Sequence, residues 1–193
     1  MLEWYRSGQN YKDLMNECED LICAAARLIN GNEKISYRGL EINVATPWTR
    51  MSVATAFQRY ASMEMEKALE KDCFDEVVAT EIEPNLGSTT PLFLYDYPAP
   101  CGALARLKPR NNLLAERFEL YIAGIELCNG FSELTDSAEQ KSRFEKEQRL
   151  RQSFGRPVYP MPQKFLTALK DMPADGGNAM GIDRLALIFC DAT

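Results

Sequence analysis

The sequence predicts an α+β fold in which a mostly antiparallel sheet is flanked by helices. Three observations carry this. Residues 91–98 are largely apolar and bracketed by Pro91 and Pro98, which reads as a buried strand. Two strand-like runs, 117–122 and 125–128, flank Ala123-Gly124, a hairpin signal. The helical patterns around them vary in length, unlike the regular strand–helix alternation of a parallel sheet.

The first helix spans residues 11–29. Leu14, Cys18, Leu21, Ala25 and Leu28 recur at alternating steps of four and three, and Met15, Ile22 and Ile29 widen the stripe. Lys12, Glu17, Glu19 and Asp20 are expected to face away, and Asn30-Gly31 to stop the helix. A short strand follows over 40–45, then helices over 53–61 and 63–78, before Glu83-Pro84-Asn85-Leu86-Gly87 breaks the pattern. After the hairpin, residues 137–154 form a charged surface helix. Glu139→Arg143, Glu145→Arg149 and Glu147→Arg151 stand in the favourable i,i+4 order, with only Ala138, Phe144 and Leu150 to bury. Gly155-Arg156-Pro157 ends it. Residues 163–172 read as a short helix, Asp175-Gly176-Gly177 as a loop, and 183–189 as a buried helix or strand. There are no repeats and no low-complexity segment, so residues 1–193 are expected to form one domain.

Composition narrows the function. With 46% apolar residues, nine Phe, eight Tyr and two Trp, the chain can bury a core. No apolar run approaches the ~20 residues of a spanning helix, and the start lacks the basic-then-apolar pattern of a signal peptide. The net charge of −6 removes the strongly basic surface of a duplex-DNA binder, though not a local basic patch. An acidic average suits a protein that handles Mg²⁺-bound nucleotides. The absence of histidine excludes His-dependent triads, His general bases and His-ligated zinc. Six cysteines without C-x-x-C spacing read as reduced residues, mostly in the core, of a cytoplasmic protein.

Three runs could carry chemistry. In Arg117–Glu126, a turn at Ala123-Gly124 sets Ile122 opposite Ile125 and Tyr121 opposite Glu126. Glu119 and Glu126 then become diagonal neighbours, with Cβ atoms about 7 Å apart. Two readings are open: a cation site for Mg²⁺ carrying a nucleotide phosphate, or solvated glutamates balanced by Arg117 or Arg106. Next, Asn129, Phe131 and Glu133 share one parity, an amide, an aromatic wall and a carboxylate suited to an amino-acid ligand. A bulge around residues 128–130 is needed to bring them onto the face of Glu126. Last, in Gly181-Ile182-Asp183-Arg184 a glycine turn opens an apolar helix with Arg184 near its start, placed to meet a phosphate or to pair with a carboxylate.

Together with Met1-Leu2-Glu3-Trp4-Tyr5-Arg6, Tyr95-Asp96-Tyr97-Pro98-Ala99 and Leu104-Ala105-Arg106, these runs resemble the class II lysyl-tRNA synthetase catalytic domain. They look most similar to its paralogues that ligate (R)-β-lysine to elongation factor P. The resemblance implies a partial class II synthetase core. Glu3 and Tyr5 would hold the substrate's amino groups, and Asn129, Phe131 and Glu133 would line the amino-acid pocket. Glu119 and Glu126 would be Mg²⁺ ligands, and Arg184 would clamp the ATP γ-phosphate. Ala179, where lysyl synthetases usually carry glycine, favours the β-lysine branch. The implied reaction is ATP-dependent adenylation of lysine or (R)-β-lysine, followed by transfer to a lysine of elongation factor P or to tRNA. The same resemblance sets the chain between the tail of motif 2 and motif 3. Motif 1 and the motif 2 arginine fall outside it, so reduced turnover and association with a second copy or a complementing chain are expected. The other expectation is a non-catalytic module that binds amino acid, nucleotide or a protein partner.

Overall fold

The computed structural model describes residues 1–192. Its centre is a seven-stranded sheet: β1 (Leu2–Ser7), β4 (Thr49–Ser52), β5 (Leu92–Pro98), β6 (Leu107–Lys108), β7 (Asn111–Ile122), β8 (Ile125–Ser132) and β9 (Asp175–Met180). The order is β1-β9-β8-β7-β5-β4, with β6 on β7, and every pairing is antiparallel except β4 with β5. A separate hairpin joins β2 (Lys34–Tyr37) to β3 (Leu40–Asn43). The helices are α1 (Tyr11–Asn30), α2 (Val53–Tyr60), α3 (Met65–Glu70), α4 (Phe74–Val77), α5 (Ser137–Ser153), α6 (Gln163–Ala168) and α7 (Ile182–Phe189).

Helix α1 starts where the sequence supplies a cap. The Asn10 side chain accepts from Lys12 N–H, Asp13 accepts from Asn10 N–H, and Gly31 closes the far end at φ 73. Its buried face is Leu14, Met15, Cys18, Ile22, Cys23 and Ala26. The expected stripe is therefore rotated: Leu21, Leu28 and Ile29 are exposed and Glu19 is buried. Glu19 tolerates burial because its carboxylate accepts from Trp48 N–H and pairs with Arg50.

The sheet has a core on each face. On one, α1 and the β2–β3 hairpin pack on Phe93, Phe118, Leu120, Ile122, Cys128 and Met180. On the other, α2, α3 and α4 pack on Met51, Leu92, Leu94, Tyr97 and Tyr121. That second cover lies over the β4–β5 end of the sheet, and the β7–β8–β9–β1 part of the same face is left for polar chemistry.

Four further expectations need correction. The helix read over 63–78 is broken by Asp72 at φ 54 into α3 and α4, and a π-helical turn follows at Val78–Ile82. The strand at the start of 40–45 ends at Asn43, and its partner β2 had no counterpart in the sequence reading. Asp175-Gly176-Gly177 is no loop but the start of β9, between β1 and β8. A Cβ at position 177 would press into the Tyr5 ring and the Glu133 carboxylate, both of which would have to shift, and one at 176 would lie 3.0 Å from Leu14 Cδ1, so glycine fits there with the least disturbance. The 183–189 run is a helix, but only Ile188 in it is fully buried.

Candidate active site

The β7–β8 turn has φ 51 at Ala123 and 73 at Gly124, and it pairs Ile122 with Ile125 and Tyr121 with Glu126. The register then shifts. Cys128 pairs with Leu120, so Leu127 is the extra residue of a bulge one position before the expected range. The bulge reverses the parity of β8 and brings Asn129 opposite Glu119, on the face that Glu126 already occupies.

Two cross-strand rows result. One runs Glu3–Ala179–Asn129–Glu119 across β1, β9, β8 and β7, and the next runs Tyr5–Gly177–Phe131–Arg117. Glu133, just past β8, bridges to Ala105 and lies over Gly177. Thus Glu3, Tyr5, Glu119, Glu126, Asn129, Phe131, Glu133 and Ala179 share one open sheet face. Arg184 reaches the edge of that face from α7.

The two ends of this face differ electrostatically. At the β7 end, Glu119 is 8% exposed and fully engaged. Its Oε1 accepts from Arg117 Nη2 at 2.5 Å and from Asn129 Nδ2 at 3.4 Å, and its Oε2 accepts from Tyr97 OH at 2.5 Å. The Tyr121 hydroxyl stands 2.7 Å from Glu119 Oε2 and 3.0 Å from Glu83 Oε1, so its one proton serves one carboxylate at a time. Burial, then the Glu119 charge, pushes both tyrosines well above the usual phenol range, which keeps them as donors. Arg117 also donates to Cys101 O at 2.6 Å and stacks 4.5 Å from the Tyr97 ring centroid.

Glu126 pairs with Arg184, which donates to its backbone carbonyl at 2.7 Å and lies 3.4 Å from its Oε2. Burial, then Glu119, raises the Glu126 carboxyl above its ordinary value, and Arg184 opposes them. Glu83, Tyr97, Arg117, Glu119 and Glu126 line a cleft of about 270 Å³. Among the described residues no group of three or more Asp, Glu, Cys or His side chains is arranged around a metal site. Two hard carboxylates suit Mg²⁺, which takes one or two protein carboxylates and completes its shell with phosphate and water, so the donor set fits that ion.

At the β1–β9 end the carboxylates have no such partners. Glu3 accepts only from the Tyr5 hydroxyl at 2.9 Å, and among the described residues Glu3, Glu133 and Asp175 form no ion pair. Asp175 Oδ1 is buried without a hydrogen bond. Burial first, then Asp175 and Glu3, raises the Glu133 carboxyl to about 7.

Sequence reasoning missed Asp175, Tyr97 and Glu83, and treated Arg117 only as a countercharge. A glycine-bearing segment hides Asp175 in an apparent loop. Tyr97 faces the cleft only because β5 shifts register between Tyr95 and Tyr97, where Asp96 has φ 60. The family model of class II tRNA synthetases (D, K and N) matches residues 1–193, the whole chain.

Proposed function

Because the chain belongs to the class II tRNA synthetases (D, K and N), a family that uses ATP and Mg²⁺, we propose that it activates lysine or (R)-β-lysine as an aminoacyl-adenylate. The acyl group then passes to a lysine of elongation factor P or to a tRNA 3′ end. The observation that carries the amino-acid assignment is the cation-poor cluster of Glu3, Glu133 and Asp175, with its unpartnered buried oxygen. Such a pocket takes an ammonium-bearing substrate and repels aspartate. It gives a neutral asparagine side chain no charge to pair with.

Each residue then has a role. Glu133 and Asp175 accept the distal ammonium, and Glu3, oriented by Tyr5, takes the second amino group. Phe131 forms the wall, Asn129 supplies an amide, and Ala179 leaves room in the row between Glu3 and Asn129. The substrate carboxylate attacks the α-phosphorus of ATP and pyrophosphate leaves. No general base is needed because the carboxylate is already ionised, which suits a chain without histidine. Arg184, half-exposed, leaves Glu126 for the γ-phosphate. Glu119, held by Arg117 and two tyrosines, and Glu126 are the carboxylates that would hold Mg²⁺. When bound, the ion neutralises phosphate charge. The saturated hydrogen bonding of Glu119 also favours a second reading, a module that binds amino acid, nucleotide or a protein partner without turnover.

The test is ATP–pyrophosphate exchange with lysine, (R)-β-lysine, aspartate and asparagine. Exchange is expected with one of the first two and not with the others, and it is expected to disappear in Arg184→Ala. Exchange with aspartate, or an unaffected Arg184→Ala variant, overturns the assignment. A folded chain that binds lysine without exchange supports the second reading.

A further inference from the structure

Two of the six cysteines meet in the core. Cys18 on α1 and Cys128 on β8 are 110 residues apart in sequence, yet their sulfurs stand 3.9 Å apart and both side chains are buried. Among the described residues they are the one pair of thiols in contact. The Cys73 sulfur meets the Met63 thioether, Cys23 donates to Val44 O at 2.6 Å, and Cys190 is exposed. A third side chain serves the pair. Asn178 on β9, also buried, donates from Nδ2 to Cys18 Sγ at 3.1 Å, while its Oδ1 has no hydrogen-bond partner. A buried amide left half unsatisfied is costly, and an apolar residue would pack a passive thiol at lower cost. The donor suits a sulfur that takes on negative charge.

A disulfide holds its sulfurs about 2 Å apart, so closure takes an approach of roughly 2 Å. Rotation about the two Cα–Cβ bonds, with a small shift of α1, moves the sulfurs over that range. A groove of about 670 Å³ between β1 and α1, lined by Trp4, Glu17 and Leu21, brings solvent to this side of the core. Trp4 packs on the cluster that contains both cysteines and stands opposite Asn178 in the β1–β9 register. Hydrogen peroxide, little larger than water, reaches the sulfurs by local displacement of that ring.

We propose that Cys18 and Cys128 are a peroxide-oxidisable pair, a staple between α1 and β8 that closes under oxidising conditions and reopens under reducing ones. One sulfur attacks a peroxide oxygen. The S–O bond forms, the O–O bond breaks, and water leaves with the thiol proton, giving a sulfenic acid. The second sulfur attacks the sulfenic sulfur. The S–S bond forms, the S–O bond breaks, and a second water leaves. Two thiols thus give two electrons and two protons to one peroxide. Cys128 lies between the Leu127 bulge and Asn129, so the closed staple also ties down the strand that carries the pocket.

The test treats the full chain with hydrogen peroxide, blocks remaining thiols with iodoacetamide and maps the peptides without reduction. A peptide linking Cys18 to Cys128, lost on treatment with dithiothreitol, is expected. The melting temperature of the oxidised chain should exceed that of the reduced chain by roughly 10 °C, because the link closes a loop of about 110 residues in the unfolded state. Cys18→Ala and Cys128→Ala, treated alike, should show no such rise. No Cys18–Cys128 peptide from the folded parent chain, a link from either cysteine to another one in its place, or an equal rise in the alanine variants overturns the proposal. The peptide map needs no variant, so it decides even if an alanine variant folds poorly. Neither readout involves lysine or ATP, and a failure of the adenylation reading leaves the result standing.

Discussion

The β7 end and the β1–β9 end of the open sheet face are built around the same chemical group, the carboxylate, and behave differently. At the β7 end Glu119 has Arg117 and two tyrosines, and Glu126 has Arg184. At the other end Glu3, Glu133 and Asp175 have only one another and Tyr5. A carboxylate with a built-in cation is held in place before any ligand arrives. Glu133, without a cation, is raised in proton affinity until a ligand brings the charge. On the proposed reading the first end takes a ligand that is itself anionic and brings its own metal, and the second an ammonium.

The comparison breaks most sharply if the arginines prove interchangeable. Arg184 is half-exposed and its partner Glu126 only partly buried, so Arg184→Ala should change stability by no more than about 1 kcal/mol. It should nevertheless lower amino-acid-dependent exchange by roughly 10²–10³ if it meets phosphate. Arg117 is the reverse case. Its pair with Glu119 is largely buried, and Arg117→Ala is expected to cost about 3 kcal/mol in urea unfolding because it strands a buried carboxylate. A loss below about 1 kcal/mol would mean that Tyr97 and Tyr121 suffice to hold that charge.

Two smaller effects sharpen the other end. Gly177→Ala should displace the Glu133 carboxylate and the half-exposed Tyr5 ring, both able to move, and so lose little stability. Calorimetric affinity for lysine is expected to fall about 10-fold as the displaced groups lose their geometry. Unchanged affinity would remove Glu133 and Tyr5 from the pocket. The smallest effect is on pH. The folded-state pKa of Glu133, about 7, lies above its ordinary value of 4.5. The contribution of Glu133 to stability is therefore fully present below pH 4.5 and is lost as pH rises through 7. An ammonium ligand needs the ionised form, so lysine affinity should rise several-fold between about pH 6 and 8. Glu133→Gln should flatten that rise and be no less stable than the parent at pH 8, as chemical denaturation at both pH values would show.

Much of this was legible in the sequence, for local reasons. The Asn10 cap and Gly31 stop bracket α1, Ala123-Gly124 adopts the two positive φ values a tight hairpin needs, and Asp136 caps α5 through Ala138 and Glu139 N–H. The parity of Asn129, Phe131 and Glu133 with respect to Glu126 requires a bulge, and there is one at Leu127. What failed to show was non-local. Glu19 looks like a surface residue until Trp48 and Arg50, about thirty positions away, supply its partners. Asp175-Gly176-Gly177 looks like a loop until β9 is seen between β1 and β8, with the Tyr5 ring and Leu14 crowding the two glycines. Glu145 looks like the partner of Arg149 until the helix turns it to Lys141.

The sequence by itself determined which residue types would meet. Short-range periodicity, caps and turn chemistry fix which strand face a side chain occupies, and that is enough to gather two carboxylates, an amide and an aromatic ring. Only the tertiary structure decided which carboxylates receive a cation. Arg117 reaches Glu119 along its own strand, but Tyr97 arrives through a register shift in β5. Arg184 comes from a helix 58 residues beyond Glu126. Charge compensation depends on distances between elements remote in the chain, and no local pattern records them.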